Sequence, residues 1–135
     1  MPAPTASRWL WIWGPAIAQM AAIFVASSIP NLTELPLDMP DYVGHFIGYF
    51  LLGSLLVRAL AGARWANLTS RVAAMAWAAS AFYGATDEGH QAFVPGRSPS
   101  MRDWLTDAIG AAVAISLAWI IATLVARQRA RDRAV

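Results

Sequence analysis

The chain has 135 residues, 58% of them hydrophobic and only 13% charged, with a mean hydropathy of +0.46. Soluble domains are about a quarter charged, and one this short buries too little of its surface to hide so much apolar area. Lipid is therefore the expected solvent, and a polytopic membrane protein the expected class. No cysteine is present, which excludes disulfides, thiolate metal sites and a cysteine nucleophile. All basic residues are Arg, and the formal net charge is +2.

The first apolar stretch, WLWIWGPAIAQMAAIFVAS, runs from Trp9 to Ser27. At 1.5 Å per residue it covers about 28 Å, close to the hydrocarbon thickness of a bilayer. Pro15 is a tolerated kink in such a helix. The run is long for a cleaved signal peptide, the competing reading, and its leading tryptophans suit an interfacial belt. SSIPNLTELPLDMPD (Ser27–Asp41) then reads as an extended, proline-rich surface loop. The second span is predicted over Val43–Ala61. The third begins at Val72 and reaches span length only if it continues through Asp87 and Glu88 to about residue 90. The fourth is predicted over Trp104–Ala126. Between the last two, Pro95-Gly96 predicts a type II turn. The expected fold is all-α: one domain, a bundle of four transmembrane helices. Gly44, Gly48, Gly53, Gly84 and Gly110 offer close helix approach, within the chain or between copies in a homo-oligomer.

The arginines orient this bundle. Arg8, Arg58, Arg64, Arg71, Arg127, Arg129, Arg131 and Arg133 share one side of a four-span arrangement, and Arg97 and Arg102 lie on the other. The positive-inside rule then places both termini in the cytoplasm. Every acidic residue except Asp132 lies on or near the outer side: Glu34, Asp38, Asp41, Asp87, Glu88, Asp103 and Asp107. The basic tail reads as an anchor on anionic lipid rather than a nucleic-acid arm. The expected location is the bacterial inner membrane, with membrane lipid as a partner and no nucleic acid.

Polar side chains converge at the outer ends of three predicted helices. Asp41, His45 and Tyr49 are spaced i, i+4, i+8 and share a helical face, as do Tyr83, Asp87 and Gln91. Asp103, Asp107 and Gly110 open the last span, and Ser100 with Asp103 forms a capping-box pattern. A carboxylate near a helix start complements the dipole, which accounts for Asp41 and Asp103 and in part for Asp107. Asp87 and Glu88 sit at a helix C-terminal end, where negative charge is disfavoured. They need partners, and Arg97 and Arg102 are the nearest cations in sequence. Asp41, one turn before His45, is the expected acceptor of its ring N–H. No H-E-x-x-H spacing occurs, so neither metal nor cofactor is expected; His45, His90, Asp87 and Glu88 would be the set to supply ligands. Ser98 and Ser100 lack the G-x-S-x-G context of a serine nucleophile.

These residues resemble the VanZ-like family of small membrane proteins. The pattern D-K-x-x-H-F-x-x-Y is met by Asp41, His45, Phe46 and Tyr49. D-E-x-x-Q-x-F-x-P-x-R is met by Asp87, Glu88, Gln91, Phe93, Pro95 and Arg97. D-x-x-x-D/N-x-x-G is met by Asp103, Asp107 and Gly110, and Ser27, Ser28 and Pro30 match a Ser-Ser-x-Pro after the first span. The family's Lys is Tyr42 here, so either Arg97 or Arg102 takes over any anion-binding role it has, or this chain binds something different. The resemblance implies a cell-envelope role linked to low-level teicoplanin resistance. A phosphotransbutyrylase activity, also attached to members, lacks the Gly-rich phosphate loop it would need.

The expected function is binding of, or action on, a lipid-linked or headgroup-bearing envelope component. Asp41, His45, Tyr49, Asp87, Glu88, Gln91, Arg97, Asp103 and Asp107 are the expected ligand-binding residues. One alternative is a membrane-embedded hydrolase or transferase, with His45, Asp87 and Glu88 as acid–base candidates. Another is an accessory subunit whose cluster only locks helices together. A proton or ion pathway is disfavoured, because the inner halves of the spans offer almost only Ala, Leu, Ile and Val.

Overall fold

Helix α1 spans Ala6–Ser27 and carries Pro15 inside it. The computed structural model describes residues 5–30 and 40–133; Glu34, Asp38 and the middle of the predicted proline-rich loop lie outside the described residues. Helix α2 spans Asp41–Leu60 and starts directly after Pro40, whose extended backbone sets its first turn. It stops where Gly62 and Ala63 take left-handed backbone angles, with the Ala63 N–H donating back to the Arg58 carbonyl at 2.8 Å. A single 3-10 turn, Trp65–Asn67, leads to Thr69, whose hydroxyl accepts from the Val72 N–H and caps α3, Ser70–Gln91. Helix α4 runs from Met101 to Asp132.

One boundary agrees with the expected spans and one departs from them. Helix α3 does continue through Asp87 and Glu88, ending at Gln91. Helix α4 extends past Ala126 through the basic tail; its 32 residues make a rod of about 48 Å, longer than the hydrocarbon core of a bilayer. The expected type II turn is present: Gly96 has φ 77°, and the Arg97 N–H donates to the Val94 carbonyl at 3.1 Å.

The four helices alternate in direction, and α2 is the central one: it touches α1, α3 and α4, with its largest interface on α4. One end of the bundle therefore gathers the C-terminal ends of α1 and α3 with the N-terminal ends of α2 and α4. The opposite end carries Arg8, Arg58, Arg64, Arg71 and the arginines of the tail. A small core of Ala16, Tyr49, Leu52, Leu56, Val57, Ala76 and Ile115 runs between them. Large apolar side chains point outward, among them Leu10, Trp11, Val25, Phe82, Ile109, Ile120 and Leu124. Water makes such a surface unstable, whereas lipid solvates it. Helices α1, α2 and α4 are long and apolar enough to cross a membrane. Helix α3 has the length, but its last two turns carry Asp87, Glu88, His90 and Gln91.

Candidate functional site

The polar end of the bundle is built on a close approach of α2 and α4. A Cβ on Gly110 would stand 2.6 Å from the Phe46 carbonyl oxygen, and one on Gly53 would stand 2.8 Å from the Ala111 Cα. Only hydrogen fits at both positions, so the two backbones meet there. Of the other glycines expected to pack helices, Gly84 lies against Asp107, and among the described residues Gly48 meets only Ile23 and Gly44 has nothing within 4 Å. The α2–α4 contact carries His45 to Asp107: Nδ1 and Oδ1 are 3.0 Å apart, and Asp107 is fully buried. His45 was expected to pair with Asp41 along its own helix. The cross-helix partner wins because Asp107 is enclosed by packing, whereas Asp41 is partly exposed and held by Arg97.

The carboxylates of α3 also find partners other than the expected arginines. Asp87 accepts a 2.6 Å hydrogen bond from the Ser27 hydroxyl at the end of α1, and a longer one from the Gln91 amide. His90 meets the Ser28 hydroxyl through Nε2 at 2.9 Å and stacks on Phe24. The Ser-Ser pair that closes α1 is thus the dock for two α3 side chains, and Tyr83 adds a third tie by donating to the Met20 carbonyl. Glu88 accepts from the Ser100 backbone N–H at 2.6 Å. The positive end of the α4 dipole therefore takes the place assigned to an arginine. Only half of the expected capping box forms: the Ser100 hydroxyl accepts from the Asp103 N–H, while the reciprocal position is taken by Glu88.

The two outer arginines serve α2. Arg97 pairs with Asp41 at 3.3 Å, its side chain only 5% exposed against 38% for Asp41. Arg102 stands over the Tyr42 ring, 4.8 Å from its centroid, and so brings a cation to the position where the family pattern has Lys. Tyr49 is buried on the same face of α2 as His45. Asp103 offers a carboxylate oxygen within 4.8 Å of ligand atoms of Asp41 and His45. All nine expected site residues thus gather at one end of the bundle. Four buried polar atoms there have no hydrogen-bond partner among the described residues: Tyr49 Oη, Glu88 Oε1, Arg97 Nε and Asp107 Oδ2.

A cavity of about 240 Å³ opens between α1, α2 and α3 beside this cluster. Asp41, His45, Tyr49, Asp87, Gln91 and Arg97 give its polar wall, and α1 gives an apolar one through Ala22, Ile23 and Ala26. Glu88, Asp103 and Asp107 are absent from this lining: Glu88 is turned toward the start of α4, the helix that carries the other two. Of the metal set considered from sequence, His90 and Asp87 are taken by Ser28 and Ser27 and do not join His45 and Glu88. Two positioning residues were not visible in the sequence: the indoles of Trp77 and Trp104 donate to the Ala108 and Ala81 carbonyls and staple α3 to α4. Their only signal is indole at a span position, which interfacial belts share.

No curated protein and no solved structure matches this chain significantly. A family model described as VanZ/LLP1 matches residues 8–122. With the two motif-bearing helix ends, the Ser-Ser dock and the Asp-containing start of α4 all inside that match, the chain belongs to the VanZ/LLP1 family.

Proposed function

We propose that this chain is a four-span protein of the bacterial inner membrane that binds an envelope molecule with an anionic, hydroxyl-bearing headgroup. Helix α3 is the fourth span, and both termini are cytoplasmic. The segregation of eight arginines to one end supports this orientation, which sets the cavity at the depth of the outer headgroups. The observation that carries the reading is Arg97: its side chain is almost enclosed, its Nε has no partner among the described residues, and it lines an open cavity beside a half-exposed Asp41. A planar guanidinium suits a phosphate or carboxylate, and Asp87, Gln91 and His45 line the same space to receive hydroxyls. The apolar α1 wall takes the first part of an acyl or prenyl chain. Teicoplanin tolerance follows in this proposal from holding such a molecule at the outer face.

The test is native mass spectrometry of the detergent-purified chain after incubation with a phospholipid and a polyprenyl-phosphate-linked sugar. A retained adduct that is lost in Arg97→Ala and partly kept in Arg97→Lys supports the reading. Equal adducts in all three proteins reject it. Expression of the wild type and Arg97→Ala in a susceptible host tests the glycopeptide link.

A further inference from the structure

His45, Glu88 and Asp107 come from three different helices, yet each offers a ligand atom within 4.8 Å of the other two. Donors that share one ion stand roughly 3–4 Å apart, so small side-chain adjustments close the set. Two of its carboxylate oxygens are without partners. Glu88 Oε1 and Asp107 Oδ2 make no hydrogen bond among the described residues, and the residues that carry them are 7% and 0% exposed. Tyr49, one turn beyond His45 on the same face, adds a third buried oxygen without a partner among the described residues.

The charges point the same way. Two carboxylates are enclosed beside a single imidazole, and neither outer arginine serves them: Arg97 is held by Asp41, and Arg102 lies over Tyr42. Enclosed carboxylates without a counter-cation are costly. Gly84 keeps room at this spot, since a Cβ there would stand 3.1 Å from Asp107 Oδ2. The neighbouring set of Asp41, His45 and Asp103 is less enclosed, and its Asp41 is already paired with Arg97.

We propose that His45, Glu88 and Asp107 bind one divalent transition-metal ion, Zn²⁺ or Mn²⁺, at the junction of α2, α3 and α4. One imidazole and two carboxylates, with no thiolate, select ions of this class. The Ser100 N–H on the far oxygen of Glu88 would orient that ligand. The site does not depend on headgroup binding at Arg97.

The experiment uses the full chain purified in mild detergent, stripped with EDTA, reloaded with Zn²⁺ or Mn²⁺, and counted by inductively coupled plasma mass spectrometry. Co²⁺ loading, read by visible absorption, reports the coordination directly. Wild type, His90→Ala and Arg97→Ala are expected to hold about one ion per chain, and Glu88→Gln and Asp107→Asn to lose at least roughly tenfold in affinity. Glu88→Gln keeps an acceptor for Ser100, so it separates ligand loss from misfolding if Asp107→Asn does not fold. A wild-type chain that stays below about a tenth of an ion after reloading and gives no Co²⁺ bands overturns the proposal. So does binding that survives unchanged in Glu88→Gln. Loss of lipid adducts in Arg97→Ala with metal retained separates this site from the headgroup site.

Discussion

The Arg58 guanidinium donates to the Trp11 carbonyl oxygen at 3.2 Å, and to that of Ile12 at 3.1 Å. Trp11 stands four residues before Pro15, so its carbonyl is the one that proline leaves without a helical N–H. Arg58 also lies over the Trp11 ring, 4.1 Å from its centroid. A residue expected to mark the cytoplasmic side thus also repairs a helix. Arg58→Leu should lower stability by about 1–3 kcal/mol, the range for losing a charge-assisted hydrogen bond. In a Pro15→Ala background the same change should cost about 1 kcal/mol less. A double-mutant cycle of thermal unfolding in detergent measures the coupling, and a cycle that is strictly additive rejects the repair role.

Gly110 and Gly44 provide an internal comparison. A methyl group at Gly110 runs into the Phe46 carbonyl, while one at Gly44 meets nothing within 4 Å among the described residues. Gly110→Ala should destabilise by about 1–3 kcal/mol through forced separation of α2 and α4, and Gly44→Ala should stay within about 0.5 kcal/mol of wild type. Because the same contact brings His45 to Asp107, Gly110→Ala should also shift the His45 ring resonances in NMR spectra, and Gly44→Ala should not.

Ser27 and Asp87 form a short bond that joins the ends of α1 and α3. Ser27→Ala leaves a buried carboxylate oxygen short of its donor, at a cost of about 1–3 kcal/mol. Asp87→Asn weakens the same bond, so the double variant should be clearly less destabilised than the sum of the two. Thermal midpoints of the four proteins decide this, and additivity would mean that the two side chains act separately.

Glu88 and the Ser100 backbone N–H test the substitution of a helix dipole for an arginine. Glu88→Gln keeps an oxygen acceptor and should change stability by under about 1 kcal/mol. Glu88→Ala strands the N–H and should cost about 1–3 kcal/mol. If both variants unfold at the same temperature, the hydrogen bond to Ser100 is not what the glutamate contributes.

Much of this was legible in the chain alone, and the reason is that it is local or set by the solvent. Helix periodicity put Asp41, His45 and Tyr49 on one face, and Ser100 announced the start of α4. Apolar runs of bilayer length marked three helices that are suited to a membrane, and all the arginines but Arg97 and Arg102 sorted to one end. Partner identity was not legible. Nearness in sequence matches Asp87 to Arg97 or Arg102, yet it takes Ser27, 60 residues distant; nearness matches His45 to Asp41, yet it takes Asp107, 62 residues distant.

Sequence by itself determined the apolar character of the helices, their positions and the end of the bundle at which the polar groups lie, because composition, period and capping act within a few residues. Only the tertiary structure decided which polar group meets which. That depends on how closely two helices approach, and here the approach is set by single missing methyl groups at Gly53, Gly84 and Gly110. A close contact of that kind places side chains from distant positions within hydrogen-bond reach, and no pattern along one helix records it.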